Sequence, residues 1–288
     1  MELLQLKYFC HAAQSCNFSK TAEKFGVPAS GISQSIKRLE KELNTNLFDR
    51  KSNKIFLNES GRIFYEKTNE ALLLLEDAVS EVSDSGTSGK IKISIAANRR
   101  IVISAIKAFM QIYPGVDFIM DYNLPENPSE YDFIISDDAF SHPGFEKQKL
   151  LSERLLLAFP KGNALENTDV VTPEILERAS FISMPENTSL ARHTYEICKK
   201  IGFKPHIVIQ CDDPFYIRKC IENGLGIAFV PEISWKGQLE SNTVLKYVGD
   251  FHRDTFLYKN KQKYVSKVSS HFVNLLTKEF LAEQDMNS

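Results

Sequence analysis

The stretch NFSKTAEKFGVPASGISQSIKRLEKEL, residues 17–43, decides how the rest of the chain is read. In its second part Ile32, Ile36, Leu39 and Leu43 recur at helical spacing and define one buried face. Gly26 supplies the left-handed conformation that commonly ends a helix, and Pro28 suits the first turn of the next one. Ahead of them Ser19 reads as an N-cap for a short helix through Phe25, its hydroxyl satisfying a free amide. A helix-turn-helix needs a small residue where its helices cross, a turn glycine and an apolar residue pinning the second helix. Ala22, Gly26 and Ile32 stand at those places. Ala29, Ser30, Ser33, Gln34 and Lys37 then point outward, as short polar side chains that a major groove accepts. Ser19, Lys20 and Thr21 on the preceding helix complete the candidate DNA-contacting set. A generic three-helix bundle with a polar face is the competing reading of the spacing.

Upstream, Leu3, Leu6, Phe9 with Cys10, and Ala13 outline the buried face of a first helix. Downstream, residues 47–57 read as a short strand, a basic turn and a second strand. Such a wing sets Arg50, Lys51 and Lys54 beside phosphates. Asn58 is expected to cap a long helix over 59–82, with Phe64, Thr68, Leu72, Leu75, Val79 and Val82 close to a heptad seam. Ala71, Leu73, Leu74 and Ala78 widen that stripe, so the helix should pair with a second copy or dock on a domain. Pairing through Phe64, Leu72, Leu75, Val79 and Val82 predicts a dimer with two recognition helices and a near-palindromic site.

Residues 1–61 resemble the amino-terminal domain of LysR-type transcriptional regulators. The pattern lies in Leu6, Phe9, Ala12-Ala13, Asn17-Phe18-Ser19, Ala22, Val27, Ser33, Ile36, Leu39-Glu40, Leu43, Leu47-Phe48-Asp49-Arg50, Leu57 and Gly61. Thr21 stands where the family usually has a second alanine, Asn44 replaces a usual glycine and Asn58 a usual threonine. Ala29 replaces a glutamine that commonly reads a base, so other members' sequence preference does not transfer.

Composition frames this reading. The 288 residues allow about two domains at ~150 residues each. With 43% apolar and 25% charged residues the chain is ordinary for a globular protein, which excludes disorder, collagen and a simple coiled coil. The apolar run 71–75 is far short of the ~20 residues a membrane helix needs. Glu2, Lys7, His11 and Gln14 exclude a signal peptide at the start, so a cytoplasmic location is expected. The net charge of −2 is unevenly spread: residues 1–60 hold nine Lys/Arg and six acids, a basic end on an acidic body. The five cysteines show no zinc spacing and read as reduced thiols; a redox pair such as Cys198 with Cys211 is the alternative.

A polar hinge at 83–89 separates this end from a proline-bearing remainder with alternating strand and helix patterns. Strands are expected at 89–95, 116–122, 131–136, 154–159, 181–184, 206–210, 226–230, 244–248 and 255–258. Helices are expected at 101–113, 173–178, 189–201, 213–223 and 263–283, giving a largely parallel sheet. Residues 217–231, helix–Gly-Leu-Gly–strand–Pro, resemble the family's effector domain, which has the fold of periplasmic binding proteins. The segment 123–130 is short and proline-broken where the family has a fuller helix.

The resulting fold class is α/β: a winged helix-turn-helix over 1–58, a dimerisation helix and hinge over 59–88, and a two-lobed effector domain over 89–288. Lobe I takes 89–160 with 250–288, and lobe II takes 161–249. Ligands in such sheets sit at strand carboxyl ends near helix N-termini. Asn98, Arg99, Arg100, Thr188, Ser189 and Asp213 are the candidates there, and the arginines favour an anion. Thr188, Ser189 and Asp213 also suit simple helix capping. No phosphate loop, nucleophile elbow or HExxH is present, and the six histidines are scattered. No catalytic residue, metal site or cofactor is expected. The reading these features imply is a LysR-type regulator that binds double-stranded DNA and a small, anionic effector as a homodimer or homotetramer. A nucleoid-type DNA-binding protein without ligand control and a solute-binding protein are the rivals.

Overall fold

A computed structural model describes residues 1–51, 54–84 and 86–286. The chain divides into two units, Met1–Ser83 and Asp84–Ser288.

The first unit begins with helices α1 (Leu3–Ser15), α2 (Phe18–Phe25) and α3 (Ala29–Glu42). Strands β1 (Phe48–Lys51) and β2 (Lys54–Leu57) follow, then the long helix α4 (Glu59–Ser83). Phe9, Ile32, Ile36, Leu39 and Leu47 are fully buried in its core, with Ala12, Ala13 and Ala22 where the helices cross. The antiparallel pair β1–β2 runs from Phe48 opposite Leu57 to Lys51 opposite Lys54. Residues 52–53 between these strands, and the side chains of Arg50, Lys51 and Lys54, lie outside the described residues.

Two expectations are corrected here. The cap of α2 is Asn17, whose side chain accepts from the Ser19 and Lys20 amides, whereas Ser19 already lies inside the helix. Gly26 closes α2 at φ +64°, the conformation the turn requires. The dimerisation seam is only partly open: Leu72 is buried at 8% exposure in the core, and Phe64 packs against Phe9 with ring centroids 5.2 Å apart. These residues serve their own unit, because the first half of α4 lies against α1. Leu75, Val79 and Val82 are exposed, Val82 at 91%.

In the second unit β3 (Ser88–Ile95), α5 (Arg99–Ile112), β4 (Gly115–Asp121) and β5 (Phe133–Ser136) form right at the start. A 3₁₀ turn, Pro128–Glu130, occupies the proline-broken segment. Then come β6 (Phe145–Pro160), α6 (Pro173–Glu177), β7 (Ser180–Ser183), α7 (Ser189–Ile201), β8 (His206–Gln210) and α8 (Pro214–Glu222). The last elements are β9 (Ala228–Pro231), β10 (Thr243–Lys246), β11 (His252–Asn260) and α9 (Lys267–Asp285).

The sheet is mixed, and this corrects the largely parallel expectation. Strand β3 pairs in parallel with β4 and β5, but β5–β11, β11–β6, β6–β9 and β6–β10 are all antiparallel. The cause is β6, expected only at 154–159, which is sixteen residues long. Its first part pairs with β11, and Leu155–Ala158 pairs with β9. Two cores result. One gathers Ile91, Ile93, Val102, Phe109, Phe133, Leu257, Phe272 and Phe280. The other gathers Phe181, Ala191, Ile197, Ile217, Ile221 and Phe229, together with Leu155, Leu157, Ala158 and Phe159. The far end of β6 thus packs in the second core.

Candidate nucleic-acid interface and ligand cavity

In the first unit α2 and α3 are held at the crossing by Ala22 and Ile32, with Gly26 between them. The inward stripe of α3 leaves Ala29, Ser30, Gln34 and Lys37 exposed and Ser33 half-buried on the opposite face. Ser19 and Lys20 are exposed on α2. Thr21 is the exception and a correction. It is fully buried, its hydroxyl donating to the Asn17 carbonyl at 2.9 Å and lying 3.0 Å from His11 Nδ1. It ties α2 to α1 and cannot meet a nucleic acid.

The wing is anchored by a contact the spacing did not reveal. The buried Glu40 carboxylate accepts from the amides of Leu47 at 2.8 Å and Phe48 at 3.2 Å, joining α3 to the start of β1. Asn58 caps α4 as expected, accepting from the Gly61 amide at 2.8 Å.

In the second unit a cavity of about 710 Å³ is lined by Asn98, Arg99, Arg100, Thr188, Ser189 and Asp213. The structure therefore brings all six candidates together at the starts of α5, α7 and α8. Asn98 sits at the N-cap position of α5 in the left-handed region, φ +56°, and α5 starts at Arg99. Thr188 caps α7 and Asp213 caps α8 through the Phe215 amide at 2.7 Å, so both capping and lining are true of them.

The sequence reading missed Tyr122, Arg218, Trp235 and Arg253, which also line the cavity. The four cavity arginines differ in how they are neutralised. Arg100 is bidentate to Glu283, at 2.7 and 2.9 Å, and those bonds hold its guanidinium charged. Arg253, nearly buried, donates to Glu153 at 2.6 Å; Ser234 also donates to that carboxylate. Arg99 reaches the Tyr122 carbonyl at 3.0 Å and lies over its ring. Arg218 lies 5.1 Å from the Trp235 ring centroid; burial pulls its pKa down, and the charges of Asp213 and Glu222 oppose that. Neither Arg99 nor Arg218 forms an ion pair with a described residue. The buried Asn98 Oδ1, Arg100 Nε and Arg253 Nε have no hydrogen-bond partner among the described residues.

Beside the cavity, Asp137, Asp138 and His193 bring ligand atoms within 4.8 Å of one another. Arg192 Nη2 donates to both carboxylates, so a cation already occupies that place. Among the described residues no helix is long and apolar enough to cross a membrane.

Comparison with known proteins agrees with this geometry. Residues 3–62 match the model for the bacterial regulatory helix-turn-helix protein, lysR family, and residues 84–281 match the LysR substrate binding domain. A probable RuBisCO transcriptional regulator of Phaeodactylum tricornutum is 27% identical, with 96% of each chain covered. The HTH-type transcriptional regulator XapR of Escherichia coli is 24% identical over 82% of this chain and 85% of its own. Among solved structures, a full-length OxyR variant from Pseudomonas aeruginosa superposes with a TM-score of 0.73 at 17% identity, covering 97% of this chain and 94% of that one. Full-length CbnR complexed with its target DNA gives 0.67 at 19% identity, covering 97% and 100%. With both of its parts matched, the chain belongs to the LysR family and is a DNA-binding transcriptional regulator with an effector-binding domain.

Proposed function

We propose that the protein selects DNA sequence with the exposed face of α3 and is controlled by a small anionic effector held in the cavity of its second unit. One observation carries the effector half. Among the described residues, the cavity lining holds two arginines without an ion-paired carboxylate, Arg99 and Arg218, and two buried guanidinium Nε atoms without acceptors, on Arg100 and Arg253. Buried donors left unpaired cost about 1–3 kcal/mol each, so a ligand that brings anionic oxygens is favoured there. The starts of α5, α7 and α8 add to this preference. Asn98 Oδ1 is a buried acceptor in the same wall, which suits a ligand that also carries a hydroxyl or amine.

The DNA half rests on Ser19, Lys20, Ala29, Ser30, Ser33, Gln34 and Lys37, with Arg50, Lys51 and Lys54 assigned to phosphates. The likeness to a chain solved on its target DNA supports it. Leu75, Val79 and Val82 on the outer half of α4 are assigned to pairing with a second copy. The working location is the cytoplasm, and the protein performs no catalysis; its relatives are regulators.

Titration calorimetry against a panel of carboxylates and phosphate esters tests the effector, with Arg99→Ala and Arg218→Ala as controls. A binder weakened tenfold or more by either substitution is expected; a panel with no anionic binder sinks this half. Gel shifts against the DNA beside the protein's own gene, in excess competitor at stated salt, test the other half. Binding no tighter than to random DNA favours a nucleoid-type protein. The helix-turn-helix unit counts against a solute-binding protein.

A further inference from the structure

Two arginines of the cavity lining share an arrangement that a single anionic group would not use. Arg99, the first residue of α5, lies over Tyr122 with its guanidinium carbon 4.8 Å from the ring centroid, and it donates to the Tyr122 carbonyl at 3.0 Å. Arg218, in the middle of α8, lies over Trp235 at 5.1 Å. Each is a planar cation laid on an aromatic ring, which steadies the guanidinium and leaves edge donors for a ligand. Among the described residues neither is ion-paired with a carboxylate, whereas Arg100 and Arg253 in the same lining are held by Glu283 and Glu153.

The two pairs stand on different cores. Helix α5 sends Ile101, Val102 and Phe109 into the first core, and Tyr122 directly follows β4, which pairs with β3. Helix α8 sends Ile217 and Ile221 into the second core, where Trp235 also packs. A ligand with one charged end satisfies one guanidinium and leaves the other facing it. A ligand charged at both ends satisfies both and links the two cores through itself. The rings favour the same choice, because each is already covered by a guanidinium and offers a flat aromatic ligand less open face. Asp213 lines the cavity near Arg218, but one of its oxygens accepts from the Phe215 amide at 2.7 Å, at the helix start that it caps. Burial pulls the Arg218 pKa down, and the charges of Asp213 and Glu222 do not make that good, so a further anion at its edge is favourable.

We propose that the effector is a small molecule with an anionic group at each end, and that Arg99 takes one end and Arg218 the other. The proposal rests on the effector reading above and names the class of ligand for it. Each anionic group is a carboxylate or a phosphate, since both present paired oxygens to the edge of a guanidinium. The cavity of about 710 Å³ falls within the range of about 300–1,000 Å³ common for small-molecule sites, which leaves room for a carbon chain between the two ends. Length is therefore selected along with charge, because the chain must span from one guanidinium to the other.

The experiment is titration calorimetry on the full chain with ligands matched in length and differing in charge: butyrate against succinate, valerate against glutarate, caproate against adipate, and glycolate against phosphoglycolate. A doubly charged member should bind at least about tenfold tighter than its singly charged match, the step expected of one further charge-assisted contact. Arg99→Ala and Arg218→Ala should each bring it down to the level of that match, with denaturant unfolding to show that both variants are folded. Trp235 is the single tryptophan and Arg218 lies over its ring, so its emission should change on binding and lose that change in Arg218→Ala. Singly charged ligands that bind as tightly as their matches overturn the dianion, while the anionic effector stands. A doubly charged ligand indifferent to Arg99→Ala or to Arg218→Ala overturns the assignment of its ends. Binding by none of these acids overturns the proposal, and the wider panel of anions above then decides whether the effector reading falls with it.

Discussion

The hydroxyl of Ser189, first residue of α7, donates to a carboxylate oxygen of Asp137 at 2.5 Å, across fifty-two positions of sequence. Asp137 directly follows β5, whose Phe133 and Ile135 lie in one core, while α7 sends Leu190 and Ala191 into the other. His193 Nε2, at 3.2 Å, and the Arg192 guanidinium reach the same buried carboxylate, and the Ala139 amide donates at 3.1 Å. One anion therefore ties the loop after β5 to the first turn of the helix whose start lines the cavity.

Replacing Asp137 with Asn is expected to cost roughly 2–4 kcal/mol of the second unit's stability near neutral pH, by analogy with buried charge-assisted bonds. Burial by itself would push this carboxyl up. The hydrogen bonds from His193 and Ser189 and the charge of Arg192 outweigh it and hold it well below the usual carboxylate range. The sign follows from linkage. A carboxyl lower in the folded state stabilises fully above its unfolded value of about 4, and that stabilisation is lost as pH falls below it. Urea titrations from pH 7 to pH 3 check this: the unsubstituted protein should lose more stability than Asp137→Asn over the acid end. Parallel curves would show that the carboxylate is not held by these partners.

Glu40→Ala leaves the Leu47 and Phe48 amides without their acceptor in a buried place. The cost should be about 2–4 kcal/mol, borne by the first unit. Circular dichroism during denaturation should show the helical transition of residues 1–83 moving to lower denaturant while the second unit's transition stays. Glu40→Gln keeps one acceptor and should recover part of the loss.

Gly61→Ala should be as damaging without touching a polar group. A Cβ at this position would stand 2.1 Å from the Leu47 carbonyl oxygen, a backbone atom that cannot swing aside. Either α4 backs away from the entry to β1 or the Asn58 cap opens, at about 1–3 kcal/mol by analogy with overpacked sites. A melting temperature for the first unit equal to that of the unsubstituted protein would contradict the close approach.

What could be read early, and what could not, follows from the range of each interaction. Ile32, Ile36 and Leu39 announce their buried face because helical periodicity is local, and Asn58 announces its cap for the same reason. The cap of α2 was misplaced because Asn17 and Ser19 are both good capping residues two positions apart, and only the amides of Ser19 and Lys20 turning back to Asn17 settle it. Thr21 stands among the DNA-contacting candidates because local spacing cannot see α1, whose His11 and Ser15 surround its hydroxyl. The six cavity candidates share a local signal, a helix start after a strand. Arg218, Trp235 and Arg253 had none: Arg218 lies inside a helix and Arg253 inside a strand, and tertiary packing alone brings them to the cavity. The first half of β6 was missed because its charged residues, Glu146, Lys147 and Lys149, alternate with too few apolar ones to declare a strand, and the pairing with β11 supplies the missing stabilisation.

The outward face of α3 bears the last prediction. Ser33, Gln34 and Lys37 differ in what they offer a duplex: Gln34 an amide able to make paired bonds to a base edge, Ser33 a short hydroxyl, Lys37 a point charge. Gln34→Ala should cost about 1–3 kcal/mol on the preferred operator and far less on random DNA, because it removes readout and leaves the phosphate contacts. Lys37→Ala should weaken both DNAs alike and reduce the slope of log affinity against log salt by about 0.9 for each phosphate it neutralises. Binding curves at several salt concentrations on both DNAs separate the two roles. If the Ser33, Gln34 and Lys37 substitutions left operator selection intact in a folded protein, α3 would not be the reading helix, and the polar face would be only a solvated one.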